Sequence, residues 1–317
     1  MPLNPKQTAF VFPGQGAQVV GMGKALADAF PVARRLFDEM DEILGVPLTR
    51  LCWEGPDSEL GETINTQPAL LTHSIAAWRI LLDEAGGAFR PACVAGHSMG
   101  EFSALVAAGA LTFADGIRLT RERGRVMRDA GTQRPGGMAA ILNLDLAKLE
   151  RVCAEAAEET GGVVHVANDN CPGQVVISGE VKPLERAMAL ALERGARRAI
   201  RLNVSIGSHS VLMSEATRSF APKVNAVPFA DPDVPVISNV TAGPLRTAAE
   251  LRSDVITQLT SPVRWVESVR AMQAMGVDTF VELGSKDVLT GLLKRIDPRA
   301  RGLSAGTPEE IRSVLGV

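Results

Sequence analysis

The chain has 317 residues, enough for one large core and a smaller companion, and its 46% hydrophobic content is that of a globular protein. A formal charge of −3, with lysine and arginine scattered rather than run together, gives no footing to a nucleic-acid-binding face. No apolar run reaches the roughly 20 residues of a membrane span, and the opening Met1-Pro2-Leu3-Asn4-Pro5-Lys6 has no signal-peptide core, so a cytoplasmic protein without membrane contact is expected.

Ala9 to Phe12 predicts a strand, followed by a Gly-rich turn and a helix running from Lys24 through Phe30 and past Asp38. Pro68 to Glu84 sets Leu70, Leu71, Ile75, Trp78, Leu81 and Leu82 at helical spacing and leads into a short apolar strand, Cys93 to Ala95. Small residues from Ser103 to Ala110 predict a helix, and Phe113 to Asp129 a further one. This alternation is the α/β signature. The pattern then changes: strand Met138 to Leu142, helix Asp145 to Ala157, strands Val163 to Ala167 and Gln174 to Ser178, helix Val181 to Arg194, strand Arg198 to Leu202. That β-α-β-β-α-β order is ferredoxin-like. Residues 133–203 are therefore read as a small ferredoxin-like domain inserted into a large α/β hydrolase-like domain of residues 1–132 and 204–317 with a parallel-sheet core. Gly131 to Gly137 marks the entry and Asn203 to Ser210 the return. Beyond lie a strand at Pro235 to Val240, helices at Ala249 to Leu259 and Trp265 to Met275, and a strand at Thr279 to Leu283. Cys52, Cys93, Cys153 and Cys171 have no CxxC or Cys/His spacing, so free thiols and no metal site are expected.

Gly96-His97-Ser98-Met99-Gly100 falls between the Cys93 strand and the following helix, the pattern of a GxSxG nucleophile elbow. Its glycines allow a sharp turn, which exposes the Ser98 hydroxyl, while the helix N-terminus offers free N–H groups to an oxyanion. A serine held this way is suited to take an acyl group. It needs a base, usually histidine, and the chain has 4. His97 is adjacent and should point away; His73 and His165 fall on a predicted helix and strand, where packing or surface roles suffice. His209 remains, in the small-residue loop Val204 to Ser210, with an ordinary solvent-facing loop histidine as the alternative.

Phe12-Pro13-Gly14-Gln15-Gly16-Ala17-Gln18, Gly96-His97-Ser98-Met99-Gly100-Glu101, Arg121-Glu122-Arg123-Gly124, Ser208-His209 and Gln258-Leu259-Thr260-Ser261-Pro262-Val263 occur together in order. In this the chain resembles the malonyl-CoA:acyl-carrier-protein transacylases over nearly its whole length. The resemblance implies Ser98 as the acylated nucleophile and His209 as its base, oriented by a backbone carbonyl near Gln258 rather than by an acid. It implies an oxyanion hole from the N–H groups of Gln15 and Met99, and substrate binding by Arg123, Gln258 and His97. Arg123 would pair with the free carboxylate that distinguishes malonyl from acetyl. Malonyl-CoA is then the donor and an acyl carrier protein, through its phosphopantetheine thiol, the acceptor. No metal or redox cofactor is implied, and a monomer is expected.

The sequence departs from that family at Met99, where leucine is frequent, and at Gly284-Ser285-Lys286-Asp287, where a Gly-Pro-Gly-Lys turn is common. Ile206-Gly207-Ser208 leaves a methyl-branched malonyl unit open. A serine hydrolase or thioesterase, an inactive carrier-docking module, and an enzyme of a polyketide or malonate pathway are the other readings. A basic rim for an acidic carrier is expected at Lys286 or along Arg121 to Arg128.

Overall fold

Strand β1 (Thr8–Phe12) is buried along its whole length, because its alternate residues enter two different cores. Phe10 and Phe12 join the larger hydrophobic cluster, where Phe10 meets Trp78 edge-on at 5.1 Å between ring centroids, while Ala9 and Val11 face a second cluster around Trp265 and Phe280. A strand apolar on both faces belongs at the centre of a parallel sheet. The computed structural model, which describes residues 3–87 and 89–316, puts it there. Beside it runs β2 (Cys93–Gly96), in parallel register with Phe12 opposite Gly96.

The remaining strands are β3 (Gly136–Leu142), β4 (Val164–Cys171), β5 (Gln174–Glu180), β6 (Arg198–Arg201), β7 (Val236–Ile237), β8 (Pro244–Leu245), β9 (Thr279–Leu283) and β10 (Arg301–Ala305). The main sheet has the order β10-β9-β1-β2-β7-β8, parallel except for the edge strand β8. A second sheet, β4-β5-β3-β6, is antiparallel throughout and packs its own core against helices Leu146–Thr160 and Val181–Glu193. The two units are stitched where Asp169 N–H donates to the Val263 carbonyl at 2.9 Å and Val263 N–H to that of Ala167 at 2.8 Å. The crevice at the C-terminal ends of β1 and β2, where α/β sheets bind ligands, thus has the second sheet as one wall.

Several elements differ from the sequence expectation. The first helix does not run through Phe30: Pro31 disfavours a helical conformation in the residue before it, so Phe30 is extended, one helix ends at Ala29 and another begins at Pro31. The helix expected from Pro68 begins five residues earlier, at Thr63. Proline at position 68 offers no N–H to the Ile64 carbonyl, which accepts from Arg121 Nη1 at 3.0 Å instead. The strand expected over Pro235 to Val240 stops at Ile237, since Ser238 and Asn239 turn away to bond elsewhere. Helices Leu48–Glu54, Asp57–Leu60, Ser214–Asn225, Val288–Ile296 and Pro308–Leu315, together with β8 and β10, lie outside the expected elements.

Helices Thr63–Glu84 and Phe113–Gln133 cross at Gly124. A Cβ there would fall 2.6 Å from Ile64 Cα and 2.7 Å from the Thr63 carbonyl oxygen, both backbone atoms that cannot swing aside. Gly124→Ala should therefore destabilise the protein by about 1–3 kcal/mol despite the ~1 kcal/mol gain in helix propensity. A melting temperature several degrees below wild type is the expected result; an unchanged one would mean that the helices separate freely.

Candidate active site

The turn after β2 is set by three close approaches. A Cβ on Gly96 would lie 1.9 Å from the Gly100 carbonyl carbon, one on Gly100 would lie 2.1 Å from the Phe12 oxygen, and one on Gly14 would lie 2.4 Å from the His97 oxygen. Only glycine permits the elbow to sit this tightly on the end of β1. Between the two elbow glycines Ser98 has φ 53°, the left-handed region that costs a residue with a Cβ about 1–2 kcal/mol. Its backbone is pinned by Asn239, whose Oδ1 accepts from Ser98 N–H at 2.7 Å while its Nδ2 donates to the Gly96 carbonyl at 2.6 Å.

His209 reaches Ser98 across 111 residues of sequence, with Nε2 2.7 Å from Oγ. Its Nδ1 faces the carbonyls of Gln258 at 3.0 Å and Ser261 at 3.1 Å. Carbonyls only accept, so Nδ1 carries the proton and Nε2 is free to accept from the serine hydroxyl. His209 also has a positive φ, 55°, and its own carbonyl accepts from His165 Nε2 at 3.3 Å. Burial above all, and then the positive charge of Arg123, hold its pKa down at about 3 against the opposing pull of the two carbonyls. The imidazole is therefore neutral at physiological pH.

Arg123 is 2% exposed. Its Nη1 donates to Gln67 Oε1 at 2.9 Å, and its Nη2 to Gln258 Oε1 at 2.9 Å and to Ser98 Oγ at 3.1 Å. Burial lowers its pKa to about 10, opposed by the nearby Glu101 carboxylate, and it stays a cation. Gln67 also donates to Thr63 Oγ1 at 2.9 Å, which donates to Gln15 Oε1 at 2.8 Å, so one chain of side chains runs from Arg123 to the turn after β1. That turn is backed by Lys286, whose Nζ donates to the Gly16 carbonyl at 3.1 Å from a backbone at φ 64°. Among the described residues, no acceptor is bonded to the N–H of Gln15 or of Met99.

His97 points away from Ser98, as the sequence suggests: Nε2 donates to Asn170 Oδ1 at 2.8 Å and the ring lies against Trp265. A cavity of about 260 Å³ gathers Gln15, His97, Ser98, Met99, Arg123 and His209 with Met127, Met138, Asn168, Asn170 and Ile206. Gln258 lies behind Arg123 rather than in the cavity wall. A larger groove, about 630 Å³, runs between helix Leu146–Thr160 and residues 260–267, but Ser98 is not part of it. Of the expected basic rim, Arg125 and Arg128 are paired with Glu122 and Asp129 and Arg121 with the helix beside it, which leaves Lys286 on the Gly16 carbonyl. Among the described residues no group of His, Cys, Asp and Glu could hold a metal ion.

A family model of the acyl transferase domain matches residues 9–297. The malonyl CoA-acyl carrier protein transacylase of Bacillus subtilis is 48% identical over 307 residues, covering 97% of this chain and 96% of that one. This chain belongs to the malonyl CoA-acyl carrier protein transacylase family. Among solved structures, a malonyl-transacylase in complex with a type II polyketide-synthase acyl-carrier protein superposes with a TM-score of 0.94 at 41% identity, covering 98% of this chain and 99% of that one. An acyl carrier protein S-malonyltransferase from Vibrio cholerae gives 0.92 at 42%, covering 97% and 99%.

The structure gathers Ser98, His209, Gln15, Met99, Arg123 and His97 around one cavity with Gln258 behind Arg123, and adds Asn239, Gln67 and Glu101, to which the sequence assigns no role. Asn239 was hidden in an expected strand; its signal was a polar Ser238-Asn239 pair directly after an apolar strand end. Asn239→Ala would leave Ser98 N–H and the Gly96 carbonyl without their partner, at about 1–3 kcal/mol for each buried group. The expected outcome is acylation slowed by roughly 10- to 100-fold together with a lower melting temperature; wild-type acylation in this variant would mean that the elbow holds its strain unaided.

Proposed function

We propose that this chain transfers a malonyl group from malonyl-CoA to the phosphopantetheine thiol of an acyl carrier protein through a malonyl-Ser98 intermediate. The observation that carries the reading is the position of the Ser98 hydroxyl, 2.7 Å from a neutral imidazole and 3.1 Å from a buried guanidinium. The hydroxyl oxygen attacks the thioester carbonyl as its proton passes to His209 Nε2. The imidazolium so formed is stabilised by the two carbonyls at Nδ1. The oxyanion takes the N–H groups of Gln15 and Met99, to which no acceptor is bonded among the described residues. As it collapses the C–S bond breaks and the coenzyme A sulfur leaves with the proton from His209. In the second half the carrier thiol gives its proton to His209 as its sulfur attacks the ester carbonyl, the bond from the acyl carbon to Ser98 Oγ breaks, and His209 returns the proton to Oγ. Every bond and proton balances without a metal or redox cofactor.

Arg123 selects the diacid. A malonyl carboxylate that takes the Nη2 hydrogen now given to Ser98 Oγ gains a charge-assisted hydrogen bond of roughly 1.5–3 kcal/mol, which acetyl cannot make. His97 and Gln258 are placed with it as substrate-binding residues, Gln258 acting from behind the guanidinium. We further read residues 133–203 as an inserted ferredoxin-like domain, supported by the β4-β5-β3-β6 order and the two helices between its strands; residues 1–132 and 204–317 are the hydrolase-like remainder, of which Met1, Pro2, Ala88 and Val317 lie outside the described residues. A cytoplasmic monomer serving fatty acid or polyketide synthesis fits this reading.

Intact-protein mass spectrometry after brief mixing with malonyl-CoA or acetyl-CoA, followed by a chase with holo acyl carrier protein, tests it. A malonyl adduct absent from Ser98→Ala that moves to the carrier is expected, and an adduct released only to water would make the protein a hydrolase. Arg123→Ala should lower the malonyl-to-acetyl labelling ratio by at least about tenfold, the equivalent of one charged hydrogen bond. An unchanged ratio would remove Arg123 as the carboxylate partner.

A further inference from the structure

Behind Arg123 lies a polar cluster that the reaction does not use directly. Gln258 is fully buried; its Oε1 accepts from Arg123, while its Nε2 donates to Glu101 Oε2 at 2.9 Å and to the Ser98 carbonyl at 3.0 Å. Turned over, the amide would set its NH2 against guanidinium N–H groups and its oxygen against two acceptors. Its orientation therefore depends on Glu101 Oε2 being an acceptor, and that oxygen also takes the N–H of Asn239 at 3.3 Å. Among the described residues no donor reaches the other Glu101 oxygen, Oε1, or Asp254 Oδ2, and both are buried. The two carboxyl groups border one buried cluster, since Glu101 Oε2 takes the Asn239 N–H and Asp254 Oδ1 takes the hydroxyl of the adjacent Ser238. Asp254 Oδ1 is occupied by the Ser238 hydroxyl, whose oxygen already accepts from Val240 and Thr241 N–H, so its single proton goes to Asp254. Each carboxyl group is thus left with one buried oxygen that no donor reaches among the described residues, and a proton carried by one of the two groups is the donor the other lacks.

We propose that Glu101 and Asp254 share one proton and act as a positioning pair, holding the Gln258 carboxamide in the orientation that aims Arg123 at the malonyl carboxylate. The pair then carries one negative charge, the counterpart of the one positive charge on Arg123. Burial, followed by the charge of Asp254, raises the Glu101 pKa well above the usual carboxylate range, consistent with proton sharing. Because the two side chains come from the helix after Ser98 and from helix Ala248–Thr257, the shared proton also ties the elbow to the turn that offers the Gln258 carbonyl to His209.

This inference rests on the reading of Arg123 as the carboxylate partner, and amide substitutions test the two separately. In Glu101→Gln, or in Asp254→Asn, the new NH2 supplies the donor that the shared proton provided, and the cluster keeps one negative charge. In the double variant Glu101→Gln/Asp254→Asn, an NH2 must oppose another donor in every orientation and the charge is lost. Malonyl and acetyl labelling would be measured by rapid quench, with melting temperatures of the unliganded proteins beside it. Each single variant should keep the malonyl-to-acetyl ratio within about threefold of wild type and melt near it, while the double should lose at least about tenfold in ratio and melt lower. A double variant that fails to fold while both singles fold is the same result in stronger form. A single variant as deficient as the double, or a double matching wild type, overturns the shared proton. The melting comparison uses no acyl donor, so it decides on the pair even where wild type shows no malonyl preference, an outcome that would overturn the Arg123 reading instead.

Discussion

A guanidinium charge removed from water is the constraint around which this site is built. Arg123 at 2% exposure is tolerable only if its N–H groups are bonded and its charge is answered. Gln67, Gln258 and Ser98 provide the bonds and Glu101 the favourable charge. The same cation adds to burial in keeping His209 unprotonated, so in the proposed reaction one residue serves both the choice of acyl group and the readiness of the base. Its place is fixed from outside by Gly124, where the arginine-bearing helix touches the backbone of its neighbour.

Strain is the second theme. Ser98 and His209, the two side chains proposed to react, both have positive φ, and each is held by hydrogen bonds from distant segments rather than by its own neighbours. Asn239 holds the serine; the carbonyls of the Gln258 to Ser261 turn hold the imidazole. The parallel sheet carries β1 and β2 side by side so that the Gly14 to Gly16 turn and the elbow emerge at the same edge. The second sheet closes the cavity from the other side, with Asn170 reaching His97.

What could be read from the sequence was what depends on local rules. Gly96 is demanded by the backbone of Gly100 four residues on, and β1 shows its double burial in an unbroken apolar run from Ala9 to Phe12. His209 came from elimination among 4 histidines. What stayed hidden depends on tertiary context. Glu101 has the composition of an exposed helix residue yet is fully buried, and Gln67 looks like any polar position on a long helix until Arg123 is placed against it. The early start of the Thr63 helix was masked by Pro68, whose orphaned carbonyl partner is satisfied by an arginine 57 residues away. Beyond Leu283 the elements are short, and β10 is only half-buried at the edge of the sheet, so its period is weak.

The protonation state of His209 is the most direct test of the central claim that the buried Arg123 charge and the loss of water keep the base neutral. Nitrogen-15 NMR of the histidine-labelled protein, with the His209 signals assigned from a His209→Asn variant, would follow both ring nitrogens through a titration. A neutral ring with its proton on Nδ1 from about pH 8 to pH 5, well below the ordinary histidine midpoint of about 6.5, is the predicted result. A midpoint for His209 within the ordinary range would contradict the account, because the charge on Arg123 would then be answered by water rather than by the protein.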